Sequence, residues 1–301
     1  MPLVNGGDVL RFAQEGRFAV GAFNGDNMEM VQAIVRAADE ERAPVIVQVS
    51  PQTVAYAGLA VIATMVHAVA DEVDIPVVLH LDHSKTLAQN VACLREGFTS
   101  LMVDGSGLPF EENVALTAQV AATGHAVGVP VEGELGRVLR KGATATEVAA
   151  ALTDPVQASD YVQRTDCDAL AIAVGSVHAM TGQEAELDVE RVRAVAARVS
   201  VPLVLHGSSG IKEDSIRAAI ECGICKVNVS TVLRQVFVGQ IRETIAEHPD
   251  EIDYRALFAP ARDSVKERVR EKLRAFGASG RITSSGQFRT LRTRWPSAAP
   301  R

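Results

Sequence analysis

Eight short apolar runs recur along this chain of 301 residues, and longer stretches with helical spacing separate them. Val, Ile and Leu occupy both faces of the runs, which is typical of parallel strands that are buried on both sides. Such strands alternating with helices, with no linker before about residue 280, predict one closed (β/α)₈ barrel of the TIM type, an α/β fold. The predicted strands are 18–23, 44–50, 76–82, 99–104, 125–132, 168–174, 201–206 and 223–229.

An open, doubly wound sheet is the alternative arrangement of alternating strands and helices. It is expected to carry a glycine-rich dinucleotide-binding turn after its first strand, and Gly-Ala-Phe-Asn-Gly at 21–25 does not match that pattern. The barrel is therefore favoured, as a single domain over residues 1–280. Residues 281–301 hold five arginines and no acid, and this composition predicts a flexible tail.

Composition and charge argue against several classes of function. Hydrophobic residues make up 47% of the chain and the formal net charge is −7, so a large core is available but the positive field of a nucleic-acid or membrane-surface binder is not. No apolar stretch approaches the roughly 18 residues of a membrane span, and charged residues interrupt the N-terminus. Four cysteines are too few for a disulfide framework, so a cytoplasmic location is expected.

Polar residues follow every predicted strand. In barrels of this kind the active site lies at the carboxyl ends of the strands, so convergence of these residues on one rim indicates an active site. The residues at those ends are Asn24, Ser50, Asp82, His83, Asp104, Glu132, Glu134, His178, His206, Ser208, Ser209, Asn228, Ser230 and Thr231.

Three of the rim residues are histidines, His83, His178 and His206, and they follow three different strands. Three imidazole ligands with an open fourth position are typical of a catalytic zinc site. Any one of them alone is better explained as a hydrogen-bonding residue, but three on one rim favour a metal. The remaining histidines lack this support: His80 is expected in the core or beside a ligand, and His125 at a strand start.

Five rim segments resemble the signatures of one enzyme family. Leu-His-Leu-Asp-His-Ser at 79–84 resembles the metal-site signature of the class II fructose-bisphosphate and tagatose-bisphosphate aldolases, and Val-Glu-Gly-Glu-Leu-Gly at 131–136 resembles their second signature. Residues 173–178, 205–210 and 226–231 are similar to the family's other rim motifs. The similarity runs in order from about residue 3 to 281, and is strongest to the shorter bacterial branch that includes tagatose-bisphosphate aldolases.

The resemblance implies a zinc-dependent aldolase that cleaves a phosphorylated ketose to dihydroxyacetone phosphate and an aldehyde. It places zinc on the three rim histidines and makes Asp82 the acid/base. Asp104 and Glu134 would hold a second or displaced divalent metal, or would simply make hydrogen bonds at the rim. A monovalent cation is a further cofactor that the family allows, and a homodimer or homotetramer is the implied assembly.

Substrate contacts are also implied by the resemblance. Asn24 and Ser50 are expected to touch the sugar, although turn residues would fit there equally, and Ser230 and Thr231 can cap the last helix while binding phosphate. Lys226 could form a Schiff base in another aldolase chemistry, but a structural role is favoured because the metal set is complete without it. The matching positions are Asn24, Ser50, Ala179, Gly207, Ser208, Ser209, Asn228, Val229, Ser230 and Thr231.

Three departures from the family pattern concern the substrate. The loop at 137–146 is basic where the family usually has an acidic mobile loop, and the first acid after it is Glu147. One proton transfer of the reaction is therefore not clearly assigned to any residue. Ala179 stands where the family usually has Gly, and Val232 replaces a commonly acidic position. The basic residues, which are expected to meet an anionic group of the substrate, are Arg137, Arg140 and Lys141.

Two other functions remain open on the sequence. A metal-dependent barrel hydrolase would favour a His-x-His pair on one strand, and His-Leu-Asp-His at 80–83 has the wrong spacing. A non-catalytic sugar-phosphate binder would keep the barrel and lose the proton shuttle, as the basic loop suggests.

Overall fold

The computed structural model describes residues 3–140, 142–178, 185–283 and 288, without the side chains at positions 140, 145 and 178. Eight parallel strands form its centre, in the order β3-β2-β1-β10-β9-β7-β5-β4, and two short strands, β6 and β8, form a separate ribbon. The strands are β1 Val20–Asn24, β2 Val45–Val49, β3 Val77–Leu81, β4 Leu101–Val103, β5 Val131–Leu135, β6 Leu139–Arg140, β7 Ala169–Ile172, β8 Val177–His178, β9 Leu203–Leu205 and β10 Ile224–Val229.

The two strands at the ends of this order, β3 and β4, are also joined. His80 forms a parallel bridge with Ser100, and the Leu81 N–H donates to the Ser100 carbonyl over 3.1 Å. The sheet therefore closes into the barrel that the sequence predicts, and the carboxyl ends of all eight strands lie on one rim.

Helices cover the outside of the barrel. Polar side chains start several of them: Asn27, Ser50 and Asp188 each accept a hydrogen bond from a first-turn N–H. No single described helix is long and apolar enough to cross a membrane; α3 and α4 pass that test of length and composition only as a pair, bent by 96°. The helices are α1 Gly6–Gly16, α2 Met28–Glu40, α3 Pro51–Ala57, α4 Leu59–Ala70, α5 Leu87–Arg95, α6 Phe110–His125, α7 Ala145–Ala150, α8 Pro155–Thr165, α9 Val189–Ala196, α10 Glu213–Glu221, α11 Thr231–Glu247 and α12 Tyr254–Ala275.

Helix α1 packs across the amino-terminal end of the barrel. Val9 and Leu10 are buried there, and the Gly6 N–H donates to the Thr99 carbonyl over 3.1 Å. A Cβ atom at Gly6 would lie 2.7 Å from Ser100 Cβ, so a side chain at this position would force the helix away. Since α1 covers this end, the open end of the barrel is the rim that carries the polar residues.

The fifth strand lies further along the chain than the sequence predicts. Helix α6 continues to His125 and β5 begins only at Val131, so the predicted strand over 125–132 and the placing of His125 at a strand start are wrong. The intervening turn contains Gly128 with φ 75°, and Val127 is 54% exposed. An apolar run does not distinguish a helix end from a strand, because both are apolar where they approach the core.

Packing of the chain continues past residue 280. The Ile282 N–H donates to the Arg42 carbonyl over 3.0 Å, and both Ile282 and Phe288 are buried. The Phe288 ring meets Phe12 edge to face, with centroids 5.4 Å apart. The first part of the arginine-rich segment is thus attached to the barrel, and the rest of the predicted tail lies outside the described residues.

Glu41, the C-cap residue of α2, attaches that helix to α12 by accepting hydrogen bonds from Arg270 Nε over 2.9 Å and Arg274 Nε over 3.1 Å. Burial opposes its charge, but the two arginines lower the pKa of Glu41 from 4.5 to about 2. A depressed carboxyl pKa stabilises the fold above the unfolded value of 4.5, and this contribution is lost as the pH falls through about 2.

We therefore expect Glu41→Gln to lower the free energy of unfolding at pH 7 by about 1 kcal/mol. The difference from the parent should shrink as the pH falls from about 4.5 toward 2, because protonation removes the same charge from the parent. Urea unfolding at several pH values measures both effects, and Glu15→Gln on the exposed face of α1 is the matched control. Equal stability of the Glu41 variant and the parent at pH 7 would contradict the prediction.

Candidate active site

A cavity of about 940 Å³ opens at the carboxyl ends of the strands. His206 is fully buried below it, and Val229 is buried in β10 without lining it. Lys85, Arg137 and Arg234 bring positive charge to the cavity wall. The predicted site residues that line the cavity are Asn24, Ser50, Asp82, His83, Asp104, Glu134, Gly207, Ser208, Ser209, Asn228, Ser230 and Thr231.

The residues after β3 bring Asp82 and His83 to the rim in a strained backbone conformation. His83 has φ 51°, in the left-handed region that non-glycine residues rarely adopt, and its N–H donates to Met102 Sδ over 3.4 Å. Asp82 is buried and accepts a hydrogen bond from Asn228 Nδ2 over 3.2 Å. An imidazole and a carboxylate are thus placed side by side, with His83 Nε2 3.9 Å from Asp82 Oδ1.

The imidazoles of His83 and His206 meet at the centre of the rim. Their ring centroids are 4.6 Å apart, and Glu134 Oε2 lies 3.3 Å from His206 Nδ1 and 3.7 Å from His83 Nδ1. Donor atoms of Asp82, His83 and His206 all lie within 4.8 Å of one another. The same holds for His83, Asp104 and Glu134. The described residues therefore contain two overlapping groups that could hold a metal ion.

Glu134 has the environment that best fits a bound cation. Its Oε2 atom is buried and makes no well-aligned hydrogen bond within the described part of the chain. An unsatisfied buried carboxylate oxygen costs free energy, and a cation between Glu134 and the nearby imidazoles would remove that cost. Imidazole nitrogens with carboxylate oxygens are ligands that zinc and other divalent transition metals accept. The donor set therefore fits a divalent metal.

Asp104 is already saturated with hydrogen bonds. Its Oδ1 accepts from the Ser106 N–H over 3.0 Å and from Ser106 Oγ over 2.6 Å, while Oδ2 lies 3.0 Å from His83 Nδ1 and accepts from Lys85 Nζ. Burial opposes its charge, but the contacts with His83 and Lys85 hold the pKa of Asp104 well below its usual range. A metal ligated by Asp104 would have to displace one of these partners.

Opposite charges also outweigh burial at the other ionisable groups of the rim. The neighbouring His83 and His206 lower the pKa of Asp82, and Asp82 together with the Asp104 hydrogen bond raises the pKa of His83. Burial opposes the charge of His206, but its hydrogen bond with Glu132 and the nearby charge of Glu134 raise its pKa to about 10. A metal that binds these imidazoles must displace protons, and the ionised carboxylates supply the charge that attracts it.

A turn and a helix start form the side of the cavity that suits an anion. After β9, Gly207 adopts φ 67° and the chain enters the 3₁₀ turn Ser208–Gly210. After β10, Thr231 begins α11, which is 17 residues long. First-turn N–H groups of such a helix lack partners within the helix and attract negative charge. Because Ser209, Ser230 and Thr231 line the cavity, this wall suits a phosphate group.

Asn24 ends β1 and Ser50 follows β2, the next two strands of the ring after β10, and both residues also have local structural roles. Asn24 Oδ1 accepts a hydrogen bond from Gln48 Nε2 over 2.8 Å. Ser50 caps α3 by accepting from the Thr53 N–H over 3.2 Å. Since both residues line the cavity, capping and contact with a ligand are compatible at Ser50.

The model of the family described as fructose-bisphosphate aldolase class-II matches residues 4–281. This chain belongs to that family. It is 40% identical over 304 residues to the fructose-bisphosphate aldolase of Thermus caldophilus and 41% identical over 282 residues to the probable fructose-bisphosphate aldolase of Bacillus subtilis. Each of these alignments covers 93% of this chain and 99% of the relative.

Solved structures of aldolases share the barrel. The YdjI aldolase from Escherichia coli K12 has a TM-score of 0.82 and 35% identity, with 93% of this chain and 99% of that chain covered. The fructose-bisphosphate aldolase of Campylobacter jejuni has a TM-score of 0.80 at 22% identity, with 93% and 97% covered, which shows the common fold alone. This chain is therefore an aldolase, a carbon–carbon lyase, and its family is generally metal-dependent.

The third predicted metal ligand of this aldolase lies beside the basic loop. His178 belongs to the short strand β8, and its backbone pairs with Arg140 of β6. The side chain of His178 and the whole of Ala179 and Lys141 lie outside the described residues. The ribbon nevertheless brings the backbone of the loop next to the segment that follows β7.

Glu147, the first acid after the basic loop, is used in helix capping. Its Oε2 accepts hydrogen bonds from the Thr144 N–H over 2.7 Å and from Thr144 Oγ1 over 2.8 Å, which completes a capping box at the start of α7. Glu147 is exposed and does not line the cavity. Among the described residues of the loop, none therefore takes the place of the family's mobile acid.

Sequence reasoning placed Glu132 on the rim without a specific role, and it did not name Lys85 or Arg234. Glu132 lies beneath the rim, with Oε1 2.9 Å from His206 Nε2, whereas Lys85 and Arg234 line the cavity. The spacing of Glu132 two residues before Glu134 is the signal that could have found it, because alternate residues of a strand point to the same face. Lys85 and Arg234 do not stand at the end of a predicted strand, so no comparable signal identifies them.

Divalent metal should stabilise the folded aldolase, since a ligand that binds only the folded state shifts the equilibrium toward it. At a Zn²⁺ concentration 100 times the dissociation constant, the gain should be about 2.7 kcal/mol, which corresponds to roughly 5 °C in melting temperature. His83→Ala and His206→Ala should each abolish this gain. Thermal melting of chelated protein, with and without added Zn²⁺, measures it.

His248→Ala is the matched control for that experiment. His248 is exposed at the end of α11 opposite to the rim, about 25 Å from the start of the helix at 1.5 Å per residue. This variant should keep the full shift. If His83→Ala kept it as well, a rim metal site would be contradicted.

Proposed function

We propose that this aldolase holds Zn²⁺ on His83, His178 and His206 and reversibly cleaves a phosphorylated ketose to dihydroxyacetone phosphate and an aldehyde. The observation that supports this most is the convergence of two imidazoles and the buried Asp82 beside a wall that suits phosphate. When bound, Zn²⁺ supplies Lewis-acid polarisation of the ketose carbonyl.

Asp82 is the proposed acid/base. In cleavage its carboxylate accepts the proton of the C4 hydroxyl, and in condensation it returns that proton to the aldehyde oxygen. Cleavage requires the ionised form, and the neighbouring histidines favour that form by lowering the pKa of Asp82. Asn228 orients the group by donating to Oδ1 over 3.2 Å.

The wall formed by the β9 turn and the start of α11 is proposed to bind the phosphate of dihydroxyacetone phosphate. The Ser208 hydroxyl donates to the Asn228 carbonyl over 2.5 Å, so we assign the backbone N–H of Ser208 rather than its side chain to the phosphate. Val229 would contribute only through its backbone. The full set of proposed substrate contacts is Asn24, Ser50, Ala179, Gly207, Ser208, Ser209, Asn228, Val229, Ser230 and Thr231.

Fructose 1,6-bisphosphate and tagatose 1,6-bisphosphate are the proposed substrates, and the names of the relatives favour the first. Asp104 and Glu134 are proposed as a second or displaced metal position, for which the unsatisfied Glu134 oxygen is the better ligand. A homodimer or homotetramer in the cytoplasm is the proposed state of the protein, and a monovalent cation beside the phosphate is a further proposed cofactor.

Asp82→Asn should lower kcat for cleavage by about 100- to 10,000-fold, the usual effect of removing a general acid or base. Binding of Zn²⁺ should persist, because the histidines remain. Release of dihydroxyacetone phosphate from both bisphosphates, with and without chelator, measures the reaction. Asp71→Asn, on the exposed C-terminal end of α4, is the control. Full activity of Asp82→Asn, or turnover that a chelator does not reduce, would contradict the mechanism.

Arg137 lines the cavity at the start of the basic loop and is proposed to meet the second phosphate of the ketose. Arg137→Met should raise KM for a ketose bisphosphate about 10-fold, equivalent to about 1.4 kcal/mol, and leave kcat nearly unchanged. A ketose monophosphate that lacks the distal phosphate should show a much smaller change. Steady-state kinetics with Arg95→Met, an exposed arginine of α5, as the control tests this, and an unchanged KM would refute it.

A further inference from the structure

A buried network of charged side chains lies directly beneath the proposed metal position. His206 Nε2 lies 2.9 Å from Glu132 Oε1, and Lys226 Nζ donates to Glu132 Oε2 over 2.6 Å. Lys226 Nζ also lies 3.2 Å from His80 Nε2, and His80 Nδ1 lies 2.8 Å from Ser100 Oγ. Glu132, Lys226, His80 and His206 have side chains no more than 2% exposed.

We propose that Glu132 and Lys226 are positioning residues for the metal centre: Glu132 fixes the His206 ring so that Nδ1 faces the rim, and Lys226 holds Glu132 in place. This inference rests on the proposed function, because it takes His206 as a metal ligand. Neither residue touches the substrate, and both act through His206.

The His206 ring is held between two carboxylates of one strand. Glu132 and Glu134 are two residues apart on β5, so both side chains point into the barrel, and about 6.6 Å of strand separates them. Glu132 approaches Nε2 from below, and Glu134 Oε2 lies 3.3 Å from Nδ1 near the rim. A ring that donates Nε2–H to Glu132 presents Nδ1 as its metal-binding nitrogen, and such a partner sets both the tautomer and the ring orientation.

Lys226 compensates for the charge of Glu132 in the buried interior of the barrel. Burying an unpaired carboxylate is strongly unfavourable, and the ammonium group 2.6 Å from Glu132 Oε2 compensates for its charge. The lysine is in turn held by His80, whose pKa is lowered to about 3 by burial and by the charge of Lys226. A neutral His80 can accept from Lys226 at Nε2 and donate to Ser100 at Nδ1.

The same geometry keeps the Lys226 side chain away from the cavity in which the substrate would bind. Its side chain is 1% exposed and it does not line the cavity, so its amine is not presented to a ketose carbonyl. The alternative of a Schiff-base lysine is therefore not supported. Asn228, two residues further along β10, is the residue of that strand that reaches the rim and contacts Asp82.

Two variants test the proposal with the full chain. Glu132→Met/Lys226→Met removes both charges and the acceptor for His206 Nε2–H at similar volume, and replacing a buried ion pair by apolar residues in this way is often close to neutral for stability. Glu132→Asp keeps the charge opposite Lys226 but is one methylene shorter, so it cannot keep both contacts. The single change Lys226→Met is avoided because it leaves a buried carboxylate without its partner.

The probes are Zn²⁺ and Co²⁺ added to chelated protein. Competition with a chromophoric chelator gives the dissociation constants, and the visible absorption of bound Co²⁺ reports the ligand geometry. Both variants should bind metal about 10- to 100-fold more weakly, with an altered Co²⁺ spectrum, while the melting temperature of the metal-free double variant changes little. Thr165→Val is the control, because it removes a buried hydroxyl that bonds to the Tyr161 carbonyl and the Cys167 N–H and touches none of the network.

The outcomes separate this inference from the proposed function. If either variant folds and shows parental affinity and a parental Co²⁺ spectrum, the inference fails while zinc binding stands. Weaker binding by Thr165→Val to the same extent would also overturn it, because the effect would then be general to the core. A parent that binds neither Zn²⁺ nor Co²⁺ would overturn the proposed function and this inference together.

Discussion

Closure of the parallel sheet is the constraint on which the rest of this structure depends. Parallel strands present all their carboxyl ends to one rim, and the bridge between His80 and Ser100 joins the two strands that complete the ring. Because side chains alternate along each strand, residues two apart share the interior face and form successive levels. The upper level contains Asp82, Glu134 and Asn228, and the lower level contains His80, Glu132 and Lys226.

The charges within the ring stabilise one another because none of them could be buried alone. Desolvation opposes the charge of each carboxylate, yet nearby imidazole and ammonium groups hold the pKa values of Asp82 and Glu132 below their ordinary values. Asp104 has four hydrogen bonds and is complete without a cation, whereas Glu134 keeps a buried oxygen that has no well-aligned partner among the described residues. Among the described rim residues, the buried oxygen of Glu134 thus lies where the two histidine rings meet, and a divalent ion fits there.

The loops above the rim differ from the barrel in how they use charge. The basic loop brings Arg137 to the cavity, and the first acid after it, Glu147, caps α7 instead of facing the substrate. Ser230 and Thr231 lie at the start of α11 and also line the cavity, and a helix start of this kind suits an anion. Family membership accounts for the aldolase barrel and its reaction class.

The sequence by itself determined the barrel and the membership of its rim. Buried apolar runs and helical stretches predicted the closed fold, and the strand-end rule identified the cavity residues, because parallel strands leave only one place for polar ends to meet. It failed at His125, where the apolar residues before β5 belong to a helix end and an exposed turn. The positions of the strand ends also could not show which carboxylates would have hydrogen-bond partners for both oxygens.

Only the tertiary structure decided how the polar residues share their charges. Lys226 is 94 positions from Glu132, and Glu132 is 74 positions from His206, so no local pattern could pair them. The pairing follows from the register of β5 against its neighbours and from the closure that brings β10 across the barrel. Residue identity along a strand specifies which groups enter the interior, but distances across the ring specify which of them meet.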